Sequence, residues 1–231
     1  MRPSMRNLVC TGAEWITRSS DERAIRTHAS ALQFIDQSGQ EYEQVPRIGG
    51  TEHMSILFGG IRQLGMVVRD VEAAMKEWGR LGVGPFFTVT FTVDDFQYRG
   101  RPSPAPVLTL CFAHSGPLQL ELIQQHNDVP SAYREFLDQG RQGAQHVCAW
   151  YADHRSFDAK RLELLERGFN LIHEGALRSV DARFAYFETG EPGGLMFEIS
   201  EALMPMHAAQ RLVMESAAEK WDGKELVAAR N

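Results

Sequence analysis

A chain of 231 residues, 43% hydrophobic and 23% charged, has ordinary globular composition and enough length for one large domain or two small ones. The formal net charge of −6 and a pI near 5.8 exclude the basic face that a nucleic-acid binder needs. Cys10, Cys111 and Cys148 are widely spaced and form no CxxC, which excludes a disulfide framework and a thiolate zinc site and fits a reducing cytoplasm.

In chain order, residues 1–53 are polar, weakly periodic and show no convincing strand. Charges interrupt them where a secretory signal needs an apolar stretch, and no run in the chain approaches the ~20 apolar residues of a membrane-spanning helix. They read as an N-terminal extension, poorly ordered or arising from an upstream start codon, with the functional unit (54–231) opening near Met54. IRQLGMVV (61–68) is apolar and β-branched and predicts a strand. Asp70 is a good N-cap for a helix carrying Val71, Ala74, Met75, Trp78 and Leu81 at helical spacing, ended by Gly82 and Gly84. PFFTVTFTV (85–93) predicts a second strand, and RGRPSPAP (99–106) a surface loop. VLTLCFA (107–113) and LQLELIQ (118–124) predict a hairpin turning through His114 to Pro117. This β-α-β-β-β run is module one, about 61–125.

A connecting helix is expected over 128–139, with Tyr133, Phe136 and Leu137 on one face. Then the pattern restarts. QHVCAWYA (145–152) predicts a strand, 157–167 a helix stopped by Gly168, and FNLIHEGA (169–176), ARFAYFET (182–189) and GLMFEISEA (194–202) three more strands. This second β-α-β-β-β run is module two, about 144–202. GEPGG (190–194) reads as a turn rather than a phosphate loop, because no helix follows it. Residues 203–220 read as a terminal helix with Leu203, Met206, Leu212 and Met214 recurring along it.

Two similar halves in one chain suggest paired modules that share a site at their junction. Gln63 and His146 lie on the first strand of each half, Glu121 and Glu198 on the last, and the two pairs have nearly the same spacing. Each is embedded among Leu, Ile, Val, Met or Phe. A carboxylate on a buried strand face is costly unless it is paired or bound to a metal. Two carboxylates, an imidazole and an amide oxygen suit a borderline-to-hard divalent cation, and the charges of ion and carboxylates cancel. Taken singly, a Glu in an apolar strand more commonly faces water. The equivalent placement in both halves is what favours the metal.

IRQLGMVVRDVEAAMKEWGRLGVGPFF resembles the opening module of the vicinal oxygen chelate superfamily, which includes glyoxalase I, methylmalonyl-CoA epimerase, extradiol dioxygenases and bleomycin-resistance proteins. LQLELIQQ, GAQHVCAWYAD and RFAYFETGEPGGLMFEIS resemble its later motifs, so the resemblance covers about Ile61 to Ala202. It implies an α+β fold in which two βαβββ modules form a U-shaped, barrel-like mixed sheet around a metal-binding cleft. It also implies ligands at Gln63, where many members have His, and at Glu121, His146 and Glu198. That set is similar to the eukaryotic-type glyoxalase I, while the surrounding sequence looks closer to the methylmalonyl-CoA epimerase-like branch.

The function implied is proton transfer beside a carbonyl, by an epimerase, isomerase or glyoxalase-type lyase. One divalent ion (Zn, Mn, Co, Ni or Fe) stabilises an enolate, with Glu198 as leading base and Glu121 as its partner or a firm ligand. Two alternatives are an extradiol-type dioxygenase, against which Gln63 in place of a His counts, and a non-catalytic binding protein of the resistance type. Tyr98 and Arg101, before and within the proline-rich loop, and Tyr186 on a late strand are candidates to contact a small-molecule substrate. His114, His126 and His173 read as solvated histidines at turns and strand ends. A cytoplasmic homodimer is expected, binding neither nucleic acid nor membrane.

Overall fold

The computed structural model describes residues 57, 59–190 and 194–228, and five strand segments between Leu8 and Tyr42. The segment around Met54 and the middle of GEPGG lie outside the described residues. The chain divides into two compact units, 1–53 and 54–231.

In the first unit, β1 (Leu8–Thr11), β2 (Glu14–Arg18), β3 (Arg23–His28), β4 (Ala31–Asp36) and β5 (Glu41–Tyr42) pair in chain order as an antiparallel meander. The sequence reading shows no strand here. These strands carry only one to three large apolar residues each, such as Ile25 in β3, so an alternating apolar pattern hardly emerges.

The second unit follows the α+β plan. Its strands are β6 (Gln63–Val67), β7 (Phe87–Thr92), β8 (Asp94–Tyr98), β9 (Arg101–Pro102), β10 (Val107–Ser115), β11 (Leu118–Gln125), β12 (Gly143–Trp150), β13 (Leu171–Leu177), β14 (Ala182–Phe187) and β15 (Met196–Ser200). Its helices are α1 (Val71–Arg80), α2 (Ala132–Asp138), α3 (His154–Glu166) and α4 (Pro205–Lys220). Helix starts are set by side-chain caps: Asp70 accepts from Ala73 N, Ser131 from Arg134 N and Asp153 from Ser156 N. Gly168, at φ +84°, lets the chain leave α3 in the left-handed region.

Among the described residues the sheet runs β7-β10-β11-β6-β12-β15-β14-β13-β8-β9. The first strands of the two modules, β6 and β12, are antiparallel neighbours at its centre. β7 at one edge runs almost directly into β8, the last strand but one at the other: β7 ends at Thr92 and β8 begins at Asp94. A sheet whose far strands are one residue apart must curl back on itself, which gives the barrel-like shape.

β9 corrects the sequence reading of 99–106 as a plain loop, and β8 is a strand that reading did not contain. β8 pairs with β13 of the other module, and a two-residue turn at Arg99 and Gly100, both at positive φ, returns the chain into β9. Asp94, Asp95 and Gln97 disguise β8 as polar chain.

Both faces of the curled sheet are covered. On the outside, Met66, Leu120 and Leu122 pack with Val71 and Met75 of α1, and Ala149, Phe197 and Ile199 with Phe157 and Leu164 of α3. On the inside, Val67, Leu108, Leu110, Ile123, Phe184 and Tyr186 form a third cluster with Tyr133, Phe136 and Leu137 of α2. Burying each of the Val, Leu, Ile, Met and Phe side chains among them contributes about 1.5–3 kcal/mol.

Candidate metal centre

The register places the four polar strand residues on the inner face. Across β11, β6, β12 and β15, one rung carries Glu121, Gly65, His146 and Met196, and the next carries Gln119, Gln63, Cys148 and Glu198. Successive side chains along a strand alternate faces, so both rungs point inward while Leu64, Leu120, Val147 and Phe197 point out. All four polar residues are buried: His146 is 0% exposed and Gln63, Glu121 and Glu198 are 6% each.

Small residues make room for the cluster. A Cβ on Gly65 would stand 1.8 Å from His146 Cε1 and 1.9 Å from its Nε2, so the imidazole occupies the space over that glycine. His146 Nε2 lies 3.4 Å from Glu121 Oε2 and 3.1 Å from Glu198 Oε2. Ligand atoms of these three residues all lie within 4.8 Å of one another. Glu198 Oε2 is buried and makes no hydrogen bond with the described residues. An orphaned buried carboxylate oxygen beside a second carboxylate and an imidazole nitrogen fits a divalent cation of borderline hardness.

The surroundings orient these donors. The ladder slips between Ala144 and His146, and this bulge frees Gln145 from pairing with β6. Gln145 Oε1 lies 3.1 Å from His146 Nδ1, and its Nε2 donates to Ala132 O at 2.9 Å. His146 Nδ1 therefore donates to Gln145, and Nε2, facing the carboxylates, is the nitrogen left to hold an ion. Gln63 Nε2 donates to Gln119 Oε1 at 2.8 Å, which leaves its own carbonyl oxygen free to accept. Gln119 Nε2 is 3.2 Å from His114 Nε2. Tyr133 donates to Tyr186 at 3.1 Å, and the Tyr186 hydroxyl is 3.3 Å from His146 Nε2.

The electrostatics follow from burial. Burial alone disfavours the His146 imidazolium, but the closeness of the Glu121 and Glu198 carboxylates and their charges outweigh it and bring the pKa up to about 9 without a metal. Burial raises the Glu121 pKa; the His146 hydrogen bond opposes that and the Glu198 charge adds to it. Burial, then the nearby carboxylates, holds the Tyr186 phenol neutral, well above its usual range. His173, edge-on to Tyr186 at 4.3 Å between ring centroids, is pushed to about 3 by burial and then by the His146 charge.

A cavity of about 150 Å³ opens on this cluster, lined by Gln63, Glu121, Glu198 and Tyr186 and walled by apolar groups such as Phe91, Leu108 and Phe184. Engineered cavities of about that volume hold a benzene ring, so it has room for a group of that size. Tyr98 and Arg101 do not line it. Tyr98 donates instead to Glu135, beside Arg99, and Arg101 is exposed on β9. Those two were offered from the sequence as substrate contacts; Tyr98 packs against the inner cluster from β8, and Arg101 lies on the short edge strand β9. His114 and His173 are buried rather than solvated, at 5% and 1% exposure, whereas His126 is exposed.

A family model described as the Glyoxalase/Bleomycin resistance protein/Dioxygenase superfamily matches residues 62–187, just over half of the chain. The chain belongs to that superfamily. Gln63, Glu121 and His146 fall inside the matched span of this superfamily member; Glu198 and α4 follow it. No curated protein matches. Among solved structures, methylmalonyl-CoA epimerase from Mycobacterium tuberculosis is similar at 21% identity, covering 71% of this chain and 97% of its own, with a TM-score of 0.45. A hypothetical protein from Bacillus halodurans is similar at 16% identity, covering 61% of this chain and 92% of its own, with a TM-score of 0.43. A Streptomyces coelicolor methylmalonyl-CoA epimerase variant in complex with 2-nitronate-propionyl-CoA is similar at 17% identity, over 61% of this chain and 92% of its own, with a TM-score of 0.41.

Sequence reasoning missed Gln119, Gln145 and Tyr133. Gln119 was findable, because it lies two residues before Glu121 and so shares its face. Gln145 was not, because strict alternation sends it away from His146 and only the bulge brings it back.

Proposed function

We propose that this superfamily member is a divalent-metal-dependent enzyme that moves a proton at a carbon next to a carbonyl, as an epimerase, isomerase or glyoxalase-type lyase does. The observation that carries the reading is the meeting of Glu121 and Glu198, from opposite modules, with His146 Nε2, the two glutamates lining a largely apolar cavity. Glu121, His146, Glu198 and the carbonyl oxygen of Gln63 would hold the ion. Bound there, a divalent ion supplies Lewis acidity to two neighbouring substrate oxygens.

The chain's own groups do the rest. The apolar wall excludes water and strengthens every charge interaction inside. Glu198, whose Oε2 has no hydrogen bond to satisfy, is the base that takes the proton. Glu121 approaches from the other module and returns a proton to the opposite face of the same carbon. The neutral Tyr186 hydroxyl, beside His146 Nε2, donates a hydrogen bond to an oxygen gaining charge.

The test pairs elemental analysis with deuterium exchange. The purified chain is expected to hold one divalent ion, lost in the Glu121→Ala/Glu198→Ala double variant. Glu198→Gln is expected to lower exchange of the acidic C–H of a 2-methyl-3-oxoacyl or hemithioacetal substrate by ~100-fold or more. Full turnover in Glu198→Gln with the ion retained would refute the base assignment. No ion in either protein, with the fold intact, would turn the reading to a small-molecule-binding protein.

A further inference from the structure

Helix α4 follows the span matched by the superfamily model, and it forms one wall of the cavity through His207, Gln210, Arg211 and Met214. It is tied down near its start. Leu203 N donates to Tyr151 O at 3.1 Å, and His207 Nε2 lies 3.2 Å from Val180 O. Burial lowers the His207 pKa, so its ring is a neutral donor to that carbonyl.

One turn further along, Arg211 lies against Trp150 of β12, its guanidinium carbon 5.8 Å from the ring centroid. Contact with a ring face orients a guanidinium without using its N–H groups. Its Nε is buried and makes no hydrogen bond with the described residues. Glu215 approaches that nitrogen at 3.4 Å but does not line the cavity, and the pair is partly exposed, at 25% and 34%, so solvent screens it.

The fully charged residues on the cavity wall are Glu121, Glu198 and Arg211. A divalent ion offsets the two glutamates, and Arg211, whose partner Glu215 stands outside the cavity and is partly screened, supplies the positive charge of the wall. A cavity with that balance favours an anion, and the planar fork of a guanidinium matches a carboxylate with two parallel hydrogen bonds.

We propose that Arg211 is a specificity-determining residue which binds a carboxylate of the substrate, so that the small group entering the cavity is an acid rather than a neutral carbonyl compound. The inference rests on the metal-dependent reading of the same cavity and adds the substrate's charge class to it.

The probes are malonate and its neutral counterpart malonamide, titrated calorimetrically into the full chain with and without Mn²⁺. Wild type is expected to bind malonate at least about tenfold more tightly than malonamide. Arg211→Gln is expected to weaken malonate by about tenfold to a hundredfold and leave malonamide unchanged. Arg211→Lys keeps the charge without the fork and is expected to fall between, which keeps the test decisive if Arg211→Gln does not fold. An unchanged ratio of the two affinities in Arg211→Gln, an equal loss for both probes, or no malonate binding to wild type would overturn the role of Arg211. Failure to retain Mn²⁺ would instead overturn the metal reading, because the effect of Arg211→Gln is also read without the ion.

Discussion

Gly65→Ala is the sharpest perturbation available, because it adds one methyl group at the point where the two modules meet. The added carbon would stand 1.8 Å from His146 Cε1, 1.9 Å from Nε2 and 2.5 Å from Nδ1. Non-bonded carbon contacts begin near 3.5 Å, so the ring would have to retreat by roughly 1.5 Å or more. It has nowhere to go: His146 is fully buried, with Tyr186 edge-on at 4.7 Å and two carboxylates at its tip. Overpacking of this kind costs ~1–3 kcal/mol, which for a domain of this size lowers Tm by roughly 2–12 °C. The greater effect is on the ion. Ligand distances tolerate only about ±0.2 Å, so a displaced Nε2 ceases to be a ligand. Elemental analysis and a thermal melt are expected to show loss of bound metal with a modest fall in Tm. Gly60→Ala is the control, since its Cβ would meet only Arg62 Nε, at 3.9 Å, and it is expected to behave as wild type. Wild-type ion content and Tm in Gly65→Ala would refute the reasoning.

Gln145→Leu removes the acceptor from His146 Nδ1 and is expected to weaken metal binding by about 10–100-fold, read by competition with a chromogenic chelator; unchanged affinity would show that the bulge has no orienting role. His173 has a folded pKa of about 3 against an ordinary value near 6.5, so it stays neutral in the fold while the unfolded chain takes up a proton. Its contribution is complete above pH 6.5 and is lost as pH falls toward 3, by up to about 1.4 kcal/mol per pH unit. His173→Phe is expected to flatten that stretch of a denaturant-melt pH profile, and an equally steep profile would refute it. Asp153→Ala removes the α3 cap and is expected to cost about 1 kcal/mol of stability, seen as a shift of the urea midpoint.

Much of the second unit was legible because its signals are local. The cap at Asp70, the stop at Gly168 and the apolar runs of β6, β10, β11, β12 and β14 depend on neighbours in sequence, and the observed elements lie within a few residues of those expected. β8 was illegible for the opposite reason. Its polar residues are held in strand geometry by pairing with β13, some 80 positions away along the chain, a tertiary partner that no local pattern announces.

The candidate centre divides along the same line. The amino-acid order is enough to set Gln63, Glu121, His146 and Glu198 as polar groups in apolar strands, and alternation faces Glu121 away from Leu120 and Leu122. That this face is the inside of a curled sheet and not a wetted surface follows from the folded chain alone. The β6–β12 pairing brings the two modules' polar residues onto adjacent rungs, Gly65 opens the space for the His146 ring, and α4 adds Arg211 from beyond the repeat. Period-two alternation fixes which side chains share a face, but burial of that face depends on how distant strands close around it, and that is a property of the whole sheet.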